Sequence, residues 1–255
     1  MTSARASTPR VALAGNPNTG KTSMFNRLTG ANARVGNYPG VTVEREVGSW
    51  VIPLGRVDVV DIPGAYSLAA RSAEEQVAMR AIFGLDGEQR PSAVIVVLDA
   101  TQLVRNLYFA AQLIEADVPV VLALNLMDVA RAEGGAPDPG RVEAAMGVPV
   151  VGVSAQTGEG LEALGLAVAR VLENPARGRA HPGWRYPAAL TADLARLEPM
   201  VVSSSPEEAR ALALWALLSV EEGDELLDIP APVRACVADI RRAAEAAGQI
   251  GRAHV

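Results

Sequence analysis

The chain has 255 residues, 49% of them apolar, and its 23 basic and 29 acidic side chains leave a net charge of −6. That length suits one large domain with a smaller companion around a packed core, and the acidic balance, with Arg241-Arg242 the only basic doublet, argues against nucleic acid as a main partner. No run approaches the ~20 apolar residues of a membrane helix; residues 1–9 carry no stretch of signal-peptide type, and the single Cys236 allows no internal disulfide and fits a reducing, cytoplasmic setting.

After an N-terminus read as flexible at residues 1–9, the first predicted strand, 10–15, runs into Gly15-Asn16-Pro17-Asn18-Thr19-Gly20-Lys21-Thr22 and a helix over 21–30. The octet is a phosphate cradle. Gly15 and Gly20 let the backbone curl so that successive N–H groups point inward, and the helix aims the positive end of its dipole at the same place. Lys21 supplies a compact charge for the outer phosphates, and the Thr22 hydroxyl, followed by Ser23, a ligand for Mg²⁺. A plain glycine turn between strand and helix has no need of the Gly-Lys-Thr triplet.

Val35-Gly36-Asn37-Tyr38-Pro39-Gly40-Val41-Thr42 is broken by glycine and proline and reads as a loop. At its end, after Gly40 and Val41, Thr42 can offer a hydroxyl to Mg²⁺ and an N–H to a γ-phosphate, so the loop would order around that phosphate. A threonine opening a strand is also commonplace. Strands over 42–52 and 56–61 form a hairpin across Pro53-Leu54-Gly55. At its end, Asp61-Ile62-Pro63-Gly64 offers a carboxylate for a metal-bound water and the Gly64 N–H for the γ-phosphate. Ser72-Ala73-Glu74-Glu75 has the form of a capping box opening a helix over 73–83, which leaves Ala65 to Arg71 as a second switch loop.

A strand over 93–99 and a helix over 102–116 lead to a strand over 118–125 that ends in Asn125-Leu126-Met127-Asp128. The Asp128 carboxylate can accept from the N1–H and exocyclic amine of guanine. Adenine lacks that edge and would leave the carboxylate unpaired. Asn125 would brace the loop and touch the base, with Met127 beside it. After a helix over 138–146 and a strand over 148–153, Ser154-Ala155-Gln156 would bring the Ala155 N–H to the guanine carbonyl. Taken singly, the shorter segments are common turns. Their order, each at the carboxyl end of an apolar run, is where ligands bind in open α/β sheets, and together they predict a GTP/GDP site with Mg²⁺.

A helix over 159–173 completes this unit, and Asn174-Pro175-Ala176-Arg177-Gly178 breaks the pattern. A G domain is therefore expected at 10–174 and a helical domain at 175–255. The first should be α/β, a mainly parallel six-stranded sheet with helices on both faces and one antiparallel edge. In the second, Ser205-Pro206-Glu207-Glu208 starts a helix over 206–220 with Leu212, Trp215 and Ala216 on one side. Another helix spans 232–247 and stops at Gly248. Cys236 reads as a small packing residue, and His181 and His254 are too far apart in sequence to suggest a metal site.

The segments 15–23, 35–44, 61–68 and 125–128 resemble the cytoplasmic G-protein part of FeoB-type bacterial ferrous-iron transporters, in detail from Val11 to about Leu172. The resemblance implies a P-loop GTPase followed by a helical domain and, beyond both, a membrane permease, which would put the chain at the cytoplasmic face of the inner membrane. It also leaves room for a small cytoplasmic accessory protein and for self-association as further partnerships. Asn18, Lys21, Thr42 and Gly64 would carry catalysis, with Mg²⁺ on Thr22 and Thr42 and Asp61 acting through water. Ala65 stands where many GTPases carry a water-positioning glutamine. By resemblance Asn18 is where GTPases of this kind hold K⁺; hydrogen bonding within the loop is the other reading of that residue. Three functions follow. One is a slow, K⁺-stimulated GTPase that gates ferrous-iron uptake, and another is a module in which nucleotide occupancy alone signals. The third, a ribosome- or tRNA-associated GTPase, is disfavoured by the acidic balance and by the wording of 38–44 and 65–68.

Overall fold

The computed structural model describes residues 8–38, 41–68, 72–85, 87–179, 186–203, 206–220 and 230–246. Seven strands build its sheet: β1 (Arg10–Gly15), β2 (Ala33–Asn37), β3 (Glu44–Ile52), β4 (Gly55–Asp61), β5 (Ala93–Asp99), β6 (Val120–Asn125) and β7 (Val150–Gly152). Their order is β2-β3-β4-β1-β5-β6-β7. Pairing is parallel from β4 through β7, while β2–β3 and β3–β4 are antiparallel.

The sequence predicts six strands; the seventh is β2, inside the stretch read as a loop. Its residues Arg34 to Asn37 are exposed and carry no alternation of apolar and polar positions. Only its ladder with β3, from Ala33↔Gly48 to Asn37↔Glu44, makes it a strand. β3 correspondingly begins at Glu44, so Thr42 lies outside it.

Alternation along the central strand separates two cores. Val11 and Leu13 join Met24, Phe25 and Leu28 of α1 (Lys21–Thr29) and Leu164, Val168 and Val171 of α6 (Leu161–Glu173). Ala12 and Ala14 face the other way, toward α2 (Ala73–Phe83), α3 (Leu103–Glu115) and α5 (Pro139–Met146). The expected capping box opens α2: Ser72 Oγ accepts from Glu75 N at 3.1 Å and Glu75 Oε2 from Ser72 N at 3.4 Å. A short helix not expected from the sequence, α4 (Met127–Ala132), follows β6 directly.

Three further helices, α7 (Ala188–Leu197), α8 (Pro206–Ser219) and α9 (Ala231–Ala246), extend the second core. The sequence places Leu212, Trp215 and Ala216 on one side of α8 with Leu214, Leu217 and Leu218 close by, and in the structure every side chain from Ala211 to Leu217 is buried. α7 and α9 both pack against it, and Trp215 reaches Phe83 at the end of α2 with ring centroids 6.4 Å apart. Cys236 is buried in this core. The Ser205 cap, Gly248, His181 and His254 lie outside the described residues. Among the described residues no helix is long and apolar enough to cross a membrane.

Candidate nucleotide site

The strand order reverses at β1, which has β4 on one side and β5 on the other, so the crevice beyond their carboxyl ends is the natural ligand position. Three glycines and an asparagine shape its floor. Gly15 has φ 155°, and a Cβ there would stand 2.5 Å from the Val97 carbonyl oxygen. Asn18 adopts the left-handed region at φ 66° and Gly20 at φ 80°. A Cβ on Gly20 would collide with the Asn125 amide nitrogen, and one on Gly64 would press on Pro17 at 3.0 Å, so the Asp61–Gly64 segment lies directly against the loop. Thr19 Oγ1 donates to Asn16 O at 2.9 Å, closing the loop on itself. Asn16 is buried, and its Oδ1 has no hydrogen-bond partner. Thr22 and Ser23 are exposed on the first turn of α1.

Lys21 Nζ donates to Asp61 Oδ1 at 2.6 Å, with both side chains mostly withdrawn from water. Burial pushes the Asp61 carboxyl above its ordinary range, opposed by the Lys21 charge and hydrogen bond. Ile62 N donates to Leu13 O and Ala65 N to Gly15 O, so the chain after β4 runs alongside β1 and the loop. Ala65 is buried.

Of the first switch segment, Gly40 lies outside the described residues, and Thr42 is exposed. Val41 N donates to Tyr38 O and Tyr38 N to Val43 O, which ties the two described ends of this segment together. Tyr38, given no role by the sequence, is its anchor: it is 3% exposed and its hydroxyl donates to Asp61 O at 2.9 Å. Arg45 stands 5.5 Å from the ring centroid, and burial raises the phenol far above its ordinary value. The signal available in the sequence was a lone aromatic within a glycine- and proline-broken loop.

At the other end of the crevice, Asn125 is fully buried and uses both ends of its amide on the frame. Nδ2 donates to Thr19 O at 2.9 Å and Oδ1 accepts from Ala155 N at 2.9 Å. The bracing role is therefore explicit. Asn125 Oδ1 and the Ala155 N–H, both expected at the base edge, are paired with each other in this arrangement. Leu126 turns the chain at φ 63°, and Met127 N donates to Val153 O. The Met127 side chain packs in the core against Gly152 rather than facing the crevice. Asp128 lies in the first turn of α4 with Oδ1 buried and without a hydrogen-bond partner. Ser154 is buried and its Oγ accepts from Thr157 N at 3.2 Å, while Gln156 is exposed. Among the described residues no group of three or more His, Cys, Asp or Glu side chains could hold a metal ion.

A family model described as ferrous iron transport protein B matches residues 9–168. The Fe(2+) transporter FeoB of Shigella flexneri is 38% identical over 218 residues, which cover 84% of this chain and 27% of that protein. That of Escherichia coli K12 is 37% identical over the same shares. The chain thus matches about a quarter of the length of these relatives. Among solved structures, the cytosolic domain of L. pneumophila FeoB superposes with a TM-score of 0.77 at 32% identity, covering 91% of this chain and 88% of that one. A mutant of S. thermophilus NFeoB bound to GDP gives 0.74 at 35% identity, covering 95% and 92%. The cytosolic domain of T. maritima FeoB in apo form gives 0.72 at 29% identity, covering 93% and 98%.

Proposed function

This chain belongs to the ferrous iron transport protein B family, and on that premise we propose that it binds GTP and GDP with Mg²⁺ in the crevice beside β1, hydrolyses GTP slowly, and acts as a nucleotide switch for a ferrous-iron permease. The observation that carries the reading is Asn125. By holding Thr19 O with one end of its amide and Ala155 N with the other, it fixes the separation between the phosphate loop and the loops that would read the base. One ligand spanning both is a guanine nucleotide. Its base edge would satisfy the buried, unpartnered Oδ1 of Asp128, and its phosphates would engage the inward backbone N–H groups between Gly15 and Thr22.

Mg²⁺ fits the donor set, because the Thr22 and Thr42 hydroxyls and, through water, the Asp61 carboxylate are hard oxygen donors suited to a small divalent ion. When bound, the ion would neutralise phosphate charge. Lys21 would leave Asp61 for the β- and γ-phosphates, and the backbone N–H groups of Thr42 and Gly64 would take up charge that develops on the γ-phosphoryl oxygens as water attacks and the bridging oxygen leaves. Asn18 at the exposed rim would hold K⁺ beside the same oxygens. The helical segment 175–255 is read as a separate domain that carries the nucleotide state onward through its packing on α2 and α3, with the permease, a small accessory protein or a second copy as the receiving partner.

Ala65 favours a second reading. Buried and without a polar side-chain atom, it cannot orient water, so occupancy alone would carry the signal. Single-turnover hydrolysis in matched K⁺ and Na⁺ buffers separates the two. The proposed switch gives measurable GTP turnover that is faster in K⁺; nucleotide uptake without turnover supports the occupancy module, and equal rates in the two salts remove the cation from Asn18.

A further inference from the structure

We propose that the Arg131–Glu159 ion pair, assisted by Arg27, clamps the loop 154–159 against the base end of the crevice and sets the rate at which GDP leaves. The inference rests on the reading of this crevice as a guanine-nucleotide site and deepens it.

The loop is rigid within itself. Ser154 N donates to Glu159 O at 3.0 Å, Gly158 N to Ser154 O at 2.8 Å, and Glu159 N to Thr157 Oγ1 at 3.3 Å. It is tethered from two sides by long-range contacts. Arg27, on the helix that follows the phosphate loop, donates to Thr157 O at 2.9 Å. Arg131, one turn beyond Asp128 on α4, grips Glu159 with both guanidinium nitrogens, at 2.7 and 2.6 Å. The second tether joins the helix that carries the base-reading carboxylate to the loop that carries Ala155, so the two walls of the base end hold a fixed separation.

Glycines sit at the C-terminal end of the loop. Gly158 and Gly160 have φ of 87° and 77°, and Gly158 has its Cα face against the Arg27 guanidinium, where a Cβ would come within 2.6 Å. A rigid segment ended by glycine and held by two arginine contacts opens when those contacts break. Both members of the ion pair are about half exposed, at 49% and 46%, so their attraction is subject to salt. Its two-pronged geometry is nonetheless the kind in which an exposed pair contributes measurably. Asp128 lies within electrostatic reach of both partners. Removing Arg131 would therefore leave two like charges facing each other where guanine binds.

Displacement of fluorescent mant-GDP by excess GDP tests the clamp in the intact chain. The variants are Glu159→Gln, Arg131→Met and the double variant, with Arg242→Gln on the unrelated Arg242–Asp239 pair of α9 as control. Each single variant is expected to release mant-GDP about three- to fivefold faster, with little change in the association rate. The double variant should be no faster than the faster single, because the two residues act as one unit. Added salt should speed release from the wild type more than from the double variant, while the control matches the wild type. Unchanged release in both single variants, or a salt response as large in the double variant as in the wild type, overturns the clamp. Failure of the wild type to take up mant-GDP at all overturns the nucleotide reading, and the clamp with it.

Discussion

Lys21 Nζ and Asp61 Oδ1 meet at 2.6 Å, joining the first turn of α1 to the end of β4 across 40 positions of sequence. Each is the residue its neighbours would place on opposite charges of one ligand: the lysine on phosphate oxygens, the aspartate on a cation. Their pairing keeps two mostly buried charges compensated. A Mg²⁺–phosphate unit would replace each partner by a stronger one.

From this pair follows a test of the metal reading. Asp61→Asn preserves shape and removes the charge that would hold Mg²⁺ through water. The gain in GDP affinity on adding Mg²⁺, measured against EDTA, should fall by about tenfold, the scale for losing an outer-sphere partner of a metal. Affinity in EDTA should change far less. An undiminished Mg²⁺ effect would place the metal elsewhere.

Gly20→Ala addresses the link between the two ends of the crevice. The new methyl would collide with the Asn125 amide, and φ 80° is costly for any L side chain. Displaced, Asn125 loses Thr19 O and Ala155 N together. Melting should fall by several degrees, from a cost of at least about 1–2 kcal/mol, and GDP affinity by more than about tenfold. Normal binding in the variant would show that the brace does not position the site.

Asp128→Asn changes the chemistry at the base end without changing its size. An amide nitrogen donates where the carboxylate accepted, which suits the second carbonyl of xanthine rather than the amine of guanine. Preference should move from GTP toward XTP, with GTP affinity lower by about a hundredfold or more, the scale for a buried polar mismatch. Competition binding with the two nucleotides checks it; unchanged GTP affinity would remove Asp128 from base reading.

Glu115 offers a pH test away from the site. It ends α3, half-buried, and burial alone raises its carboxyl above the ordinary range. For an acid whose folded value is raised, the associated stability is fully present below the unfolded value and is lost as pH rises through the folded one. The ionised group thus destabilises the protein at neutral pH, and its position at a helix C-terminus adds to that. Glu115→Gln should raise the melting temperature at pH 7 by about 1–2 °C and leave it unchanged near pH 4. A difference independent of pH would contradict this assignment.

The phosphate end was legible in the sequence because its residues are consecutive: Gly15 to Thr22 need only their own order to form a loop, and the strand before it is apolar throughout. The capping box of Ser72 and Glu75 was legible for the same reason. Contacts that depend on the assembled fold were not. Arg27 meets Thr157 across 130 positions, and Arg131 meets Glu159 across 28; neither pair has a local pattern. β2 escaped detection because its exposed residues owe their strand to a neighbour, and the burial of α8 from Ala211 to Leu217 was not legible because sequence periodicity does not show that other helices cover its remaining faces. Asn125 was legible as a brace. That both ends of its amide would be spent on bracing required the positions of Thr19 and Ala155.

The central claim is that Lys21 and Asp128 address opposite ends of one guanine nucleotide, and calorimetric titration of the purified chain with GDP and with ADP in Mg²⁺ tests it most directly. The account predicts saturable uptake of GDP at one site per chain, with ADP weaker by about a hundredfold or more. Absence of GDP uptake, or equal affinity for ADP, would contradict it.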